Sequence, residues 1–289
     1  MKHSSRVITV IPTFFNDDTS IDYESIKLHI TNQMNCGIET IAILGTTSEA
    51  PTLSLEERVQ VAEFVFNNFS KNLTIIVGLG GNNTKEMVNE LKSIEPYAHL
   101  IMISQPSYNK PSQEGIYQHF KILIESTDRQ IIIYNVPSRC GVNINPSTVN
   151  KIANISKQVV AIKEASGDLS QMMQIKEHCP DLQLYSGDDG IILPVLSIGG
   201  VGVISVISNL LPEVVLSVVN EFFNGNMVTA QSNFYSLRPF VKFCFIETNP
   251  VPIKYMLSIL TGKNSMANVR LPLVQLTNES KNLYPELNI

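Results

Sequence analysis

Tryptophan is absent from this 289-residue chain, and aromatic residues make up only 7% of it. Its interior must therefore be built mainly from aliphatic side chains. Charge is scarce too: 16% of residues are charged against 44% hydrophobic, with a formal net charge of −5. No basic stripe runs through the sequence, which excludes a nucleic-acid partner. No apolar run is long enough to span a bilayer, so no membrane partner is expected, and Val7–Ile11 is too short for the apolar stretch of a signal peptide. The four cysteines, Cys36, Cys140, Cys179 and Cys244, are far apart and form no metal-type pairing. They read as reduced thiols of a cytoplasmic protein. His3, His29, His99, His119 and His178 are scattered, with no acidic or second histidine partner at ligand spacing, so no catalytic metal is expected. The G-x-G-x-x-G fingerprint of a dinucleotide-binding sheet is missing as well. Gly78-Leu79-Gly80-Gly81 is only a superficial echo of it.

What is present is a regular alternation. Apolar runs recur at Val7–Ile11, Thr40–Leu44, Thr74–Val77, Leu100–Ile103, Ile131–Tyr134, Val159–Ile162, Leu182–Tyr185 and Val201–Val206. They are continuous rather than alternating, as parallel strands covered on both faces are. Helical patterns fill the gaps. Tyr23, Ile26, Ile30 and Met34 share one helix face, and Gly37 stops that helix. Ser54 with Glu57 forms a capping box. Thr84, Ser112 and Asp168 stand as N-caps, and Pro146 stands at a first helical position. Eight β-α units predict an α/β fold, a closed (β/α)8 TIM barrel over residues 1–207. From 208 to 289 the strand signal stops. Helical segments near Glu213–Phe223, Met227–Leu237 and Val251–Leu260 predict a C-terminal helical appendage.

In such a barrel, chemistry sits where the strands end, at their C-terminal face. Lys163 ends the run Val159-Val160-Ala161-Ile162. An unpaired ammonium is costly to bury, and the usual release is a lowered pKa and a neutral amine. Such an amine is a nucleophile that forms a Schiff base with ketones. The alternative is an edge-strand lysine whose stem lies on apolar surface while its head reaches water. Around Lys163, other strand ends supply a matching set. Tyr134 can move protons during imine formation, and Thr46 can connect it to further hydroxyls. Thr47 and nearby backbone amides can hold a carboxylate, and Arg139 can grip a second one through its planar fork. Taken singly, Tyr134 also reads as a core tyrosine, the two threonines as turn formers and Arg139 as a surface residue. Asp188-Asp189 reads as a pair of caps for the next helix.

The motifs that carry this set resemble one family. Gly45-Thr46-Thr47, Tyr108-Asn109-Lys110-Pro111-Ser112, Tyr134-Asn135-Val136-Pro137-Ser138-Arg139, Ile162-Lys163-Glu164-Ala165, Ser186-Gly187-Asp188-Asp189 and Asn249-Pro250-Val251-Pro252-Ile253-Lys254 look like those of the dihydrodipicolinate synthase family, from about Val7 to Pro272. The resemblance implies a cofactor-free lyase that condenses pyruvate with L-aspartate 4-semialdehyde to 4-hydroxy-tetrahydrodipicolinate, on the route to diaminopimelate and lysine. It implies that Lys163 forms the imine and that Tyr134 is proton donor and acceptor. Thr46 would link Tyr134 to Tyr108, which the family supplies from a neighbouring subunit. Thr47 and Ile204 would contact pyruvate, Gly187 would lie near the site, and Arg139 would receive the semialdehyde carboxylate. The implied assembly is a homotetramer, a dimer of dimers.

Sister enzymes on the same barrel, such as N-acetylneuraminate lyase and the 2-keto-3-deoxy sugar acid aldolases, share the imine-forming lysine. Arg139 argues against a polyol substrate. A silent 2-oxo acid binding protein is the rival from another class, and the complete proton relay argues against it. Two departures from the family pattern stand out. Ser48 replaces a usual glycine, and a serine is strained there if that position has positive φ. Ser107 replaces a tyrosine that many members place at the lysine effector site, next to Asn82 and Glu86. With Arg58 adding positive charge nearby, weak feedback by lysine is expected.

Overall fold

The computed structural model describes residues 5–285; Met1–Ser4, His3 among them, and Glu286–Ile289 lie outside the described residues. The eight strands are β1 (Val7–Val10), β2 (Thr40–Ile43), β3 (Thr74–Leu79), β4 (Leu100–Ser104), β5 (Gln130–Asn135), β6 (Val159–Glu164), β7 (Gln183–Ser186) and β8 (Gly202–Ser205). They pair in sequence order and close into the predicted (β/α)8 barrel. Closure is parallel, with Ile8 of β1 in register with Ile204 of β8. The core is aliphatic, as the composition requires: Ile41, Ile75, Ile101, Ile131, Ile133 and Ile162 have no exposed surface.

Local chemistry explains the element ends. The Ser54 hydroxyl accepts from the Glu57 N–H while the Glu57 carboxylate accepts from the Ser54 N–H, and the helix Leu55–Phe69 follows. Gly37, at φ 91°, turns the chain out of the helix Tyr23–Asn35 in a conformation that disfavours other residues. Ser112 and Asp168 cap the helices Gln113–Glu125 and Leu169–His178. The expected cap at Thr84 is corrected by one residue. The Asn83 side-chain Oδ1 accepts from the Lys85 and Glu86 N–H groups, and Thr84 opens the helix and bonds His119 Nδ1 at 2.8 Å instead.

Among the described residues four α-helices follow β8: Pro212–Phe223, Met227–Cys244, Val251–Thr261 and the short Asn278–Lys281. The second runs past the expected stop at Leu237 and carries Pro239 inside it. A proline costs the helix one hydrogen bond. Burial of Phe243 and Cys244, at 3% and 0% exposure, offsets that cost and carries the helix onward. No helix among the described residues is long and apolar enough to cross a membrane.

Candidate active site

Lys163 stands inside β6, paired on one side with Tyr134 of β5 and on the other with Tyr185 of β7. A closed barrel has no sheet edge, so the edge-strand alternative for this lysine is excluded. Its side chain is only 6% exposed. Its Nζ lies 4.4 Å from the centre of the Tyr134 ring. Burial pushes its pKa down to about 8; the Asp189 carboxylate pulls against that shift, and the Arg139 guanidinium adds to it.

A cavity of about 530 Å³ opens above Lys163, bounded by Thr46, Thr47, Tyr134, Arg139, Gly187 and Asn249 among others. A neighbouring cavity of about 520 Å³ shares Thr46, Tyr134, Arg139 and Asn249 and extends to Arg58, Glu90, Asn82 and Ser107. Tyr134 is buried, which pushes its phenol up to about 12, partly opposed by Arg139 and by a hydrogen bond with the Thr46 side chain. The phenol therefore stays protonated at neutral pH. Gly187 allows a close approach: a Cβ there would stand 2.7 Å from Ala165 Cβ, and its N–H donates to Glu164 O at 2.7 Å.

The turn after β2 presents the two threonines. Leu44 and Glu49, at its ends, have φ of 56° and 53°. Ser48, between them, does not share that left-handed backbone. Its hydroxyl donates to Ile11 O at 2.6 Å. The condition for strain at Ser48 is thus not met in this chain: its φ is not positive, and its hydroxyl makes a buried hydrogen bond. The Thr47 hydroxyl accepts from Asn249 Nδ2 at 3.0 Å, and Asn249 O accepts from the Arg139 guanidinium at 3.2 Å.

Two expected residues stand apart. Tyr108 is 87% exposed and lines neither of these two cavities. Ile204 has no exposed surface and sits within β8 below the cavity lining. The capping role expected of the paired acids divides. Asp188 accepts from the Gly190 N–H. Asp189 instead turns inward, and its carboxylate accepts from the Val206 and Ile207 N–H groups just after β8, at 2.9 and 3.0 Å. Burial raises the pKa of this carboxylate, and its charge acts on Lys163, whose pKa it pulls upward. The charge expected of Arg58 is corrected too. Its guanidinium is forked onto Glu90 at 2.8 and 2.9 Å, so it offers no free positive charge to an effector.

With this geometry in place, comparison with known proteins decides the family. A profile of the dihydrodipicolinate synthetase family matches residues 3–287. The chain belongs to this family. It is 40% identical over 273 residues to 4-hydroxy-tetrahydrodipicolinate synthase of Endomicrobium trichonymphae, covering 94% of this chain and 93% of that one. It is 42% identical over 277 residues to the synthase of the same name from Syntrophus aciditrophicus, covering 95% and 94%. The solved structure of the synthase from Methylacidiphilum fumariolicum superposes with a TM-score of 0.93 at 35% identity, covering 97% of this chain and 93% of that one.

Within this family member, sequence reasoning had left out the layer behind the site. Asn135 Nδ2 donates to both Glu164 oxygens at 3.1 and 2.9 Å, and Gln105 and Gln171 complete a buried amide cluster. Burial raises the Glu164 pKa, and the hydrogen bonds from Asn135, Ser166 and Gln171 oppose that rise. Asn135 and Glu164 follow Tyr134 and Lys163 directly in their strands, so their side chains point to the opposite faces and lock the two strand ends together. A polar pair in register at the end of two apolar runs was the available signal.

One expectation follows from the lysine. At pH 7.5 an amine with a pKa of about 8 is roughly one-quarter neutral, against about one part in 10³ at the ordinary lysine value. The rate of imine formation with pyruvate should rise with unit logarithmic slope up to about pH 8 and level above it. Borohydride-trapping rates measured across pH check this. A rate that still climbs at pH 10 would show that the lysine keeps its ordinary basicity.

Proposed function

We propose that this chain is a 4-hydroxy-tetrahydrodipicolinate synthase, condensing pyruvate with L-aspartate 4-semialdehyde in lysine biosynthesis. The observation that carries the reading is the buried amine of Lys163 beside the Tyr134 phenol at the strand-end face. The neutral amine adds to the pyruvate ketone, and water leaves to give an imine. Tyr134 hands a proton to the departing hydroxyl. Loss of a proton from the pyruvate methyl gives an enamine, whose carbon attacks the semialdehyde aldehyde. The Thr47 hydroxyl and the backbone amides of its turn hold the pyruvate carboxylate, with Gly187 bounding the small substrate and Ile204 packed beneath the site rather than against it. Arg139 takes the carboxylate of the semialdehyde. Thr46 passes protons between Tyr134 and Tyr108 of a neighbouring subunit, an arrangement supported by the exposure of Tyr108 in the single chain. The homotetramer is built from such dimers. A cytoplasmic location fits the four free thiols. No step calls for a cofactor.

The experiment that tests this reading compares turnover of pyruvate with aspartate semialdehyde and with sugar aldehydes. The first pair is expected to dominate, and a preference for a sugar aldehyde overturns the reading. Arg139 sharpens the test. A charged hydrogen-bonded pair is worth about 1.5–3 kcal/mol, so Arg139→Ala is expected to raise KM for the semialdehyde by about 10- to 100-fold. The KM for pyruvate should move far less. Equal effects on the two substrates would make the arginine structural.

A further inference from the structure

The most deeply buried ion pair among the described residues stands behind the proton chemistry and takes no part in it. Lys254 Nζ lies 2.7 Å from Glu49 Oε1, and neither side chain has any exposed surface. The ammonium also donates to Thr13 O at 2.8 Å and lies 4.4 Å from the Phe15 ring centre. The second oxygen of Glu49 accepts from the Arg270 N–H at 3.0 Å. Such a pair is a poor stabiliser. Desolvating two ions costs about as much as their attraction returns, and apolar residues of the same volume often serve stability as well or better. Its place in the fold supplies another use.

Glu49 closes the turn that carries Thr46 and Thr47, in left-handed backbone at φ 53°. Its N–H donates to Thr46 O at 3.0 Å. Lys254 lies in the first turn of the helix Val251–Thr261, and its N–H donates to Pro250 O at 3.0 Å. The residue before Pro250 is Asn249, which holds the Thr47 hydroxyl through Nδ2 and the Arg139 guanidinium through its carbonyl. The contacts close a ring: from the Thr46-Thr47 turn to Glu49, across to Lys254, back along the chain to Asn249, and across again to Thr47. We propose that the Glu49–Lys254 pair is a positioning device that fixes the carboxylate-binding end of the site, presenting the Thr47 hydroxyl and the Arg139 fork in one geometry. The proposal rests on the assignment of Thr47 to the pyruvate carboxylate made above. The pair touches neither substrate. It acts by fixing one turn against one helix start, and hydrogen bonds alone would leave that joint freer to slide.

The test is a double variant, Glu49→Gln with Lys254→Met, which removes both charges and leaves no unpaired ion in the interior. The readout is the ratio of borohydride-trapping rates on Lys163 with pyruvate and with acetone, a ketone lacking the carboxylate, both at sub-saturating concentration. A misplacement of about 1 Å costs on the order of 10² in rate, so the ratio is expected to fall by about 10- to 100-fold. Trapping of acetone should stay near the wild-type rate. A purely structural role would lower both rates together and leave the ratio intact. A ratio within about twofold of wild type in the folded double variant overturns the proposal. Should the double variant fail to fold, Glu49→Gln alone, which keeps an acceptor for Lys254, is read in the same way, with a fall of about threefold or more expected and an unchanged ratio overturning the proposal. Thr47→Val is measured alongside. If it lowers the ratio and the pair variants do not, the positioning role falls and the Thr47 assignment stands. If Thr47→Val leaves the ratio unchanged, the assignment itself falls and the proposal with it.

Discussion

Borohydride reduction in the presence of pyruvate is expected to leave a three-carbon adduct on the Lys163 peptide alone, and Lys163→Met is expected to remove both adduct and turnover. Losing an amine held against the ketone forfeits an effective molarity on the order of 10⁵ M or more, so turnover should drop by at least about that factor in rate. Methionine keeps most of the side-chain volume, so the barrel should still close. It should also close more firmly. The lysine has a pKa of about 8 in the folded chain and about 10.4 when unfolded. Between those values the unfolded state binds more protons, so wild-type stability rises with pH across that window. Below it the buried ammonium costs the fold on the order of 3 kcal/mol. Lys163→Met should therefore melt several degrees above wild type at pH 7, with the advantage shrinking as pH approaches 10. Mass spectrometry of the reduced adduct and melting curves at the two pH values check both halves. An adduct on another lysine would sink the mechanism.

The second large effect is expected from Tyr134→Phe. Positioned proton transfer is worth about 10²–10⁴ in rate, and the substitution should lose that much, mainly in kcat. The ring stays, so the 4.4 Å approach of Lys163 Nζ to it is kept. The imine should still trap at long incubation, only more slowly, which separates the relay from the nucleophile. Because burial holds the phenol at about 12, the wild-type profile should show no alkaline fall below about pH 11 from this group. A variant with normal kcat would show that another group moves the proton.

How much of this was legible in the chain varies with the physics that fixes each part. The eight apolar runs were plain because strands covered on both faces must be apolar throughout. Their ends were read two residues short at β3 and β6, where the strand continues through Gly78-Leu79 and through Lys163-Glu164. Polar or small residues there stop the hydrophobic signal while the ladder hydrogen bonds carry on. Lys163, Tyr134, Thr46, Thr47 and Arg139 were legible as polar groups at strand ends, where a barrel gathers them whatever their distance in sequence. The inward turn of Asp189 was not, because a carboxylate after a strand caps a helix or receives the next strand's amides with the same sequence. Asn249, Glu49 and Lys254 were harder still. They pair across about 200 positions, and only the folded chain tells which acid meets which base. Asn249 and Lys254 bound a motif that carries the family resemblance, and Lys254 stands out further as a charge set in the apolar stretch Pro252-Ile253-Lys254-Tyr255-Met256, but neither signal names its partner.

The pairing of β1 with β8 has a consequence during synthesis. Val7–Val10 leaves the ribosome well before its second partner, Gly202–Ser205, which follows roughly 190 residues later. At about 5–20 residues per second the nascent chain waits roughly 10–40 seconds with one flank of β1 unpaired. Other ties wait longer: Thr13 and Glu49 for Lys254, and Glu57 for Arg270. Until then the growing molecule is an open, aliphatic sheet with an exposed edge, a template for pairing with other chains. The finished barrel hides that edge altogether, so the hazard belongs to the newborn chain, and yield in a cell should depend on chaperone supply far more than the stability of the mature fold suggests.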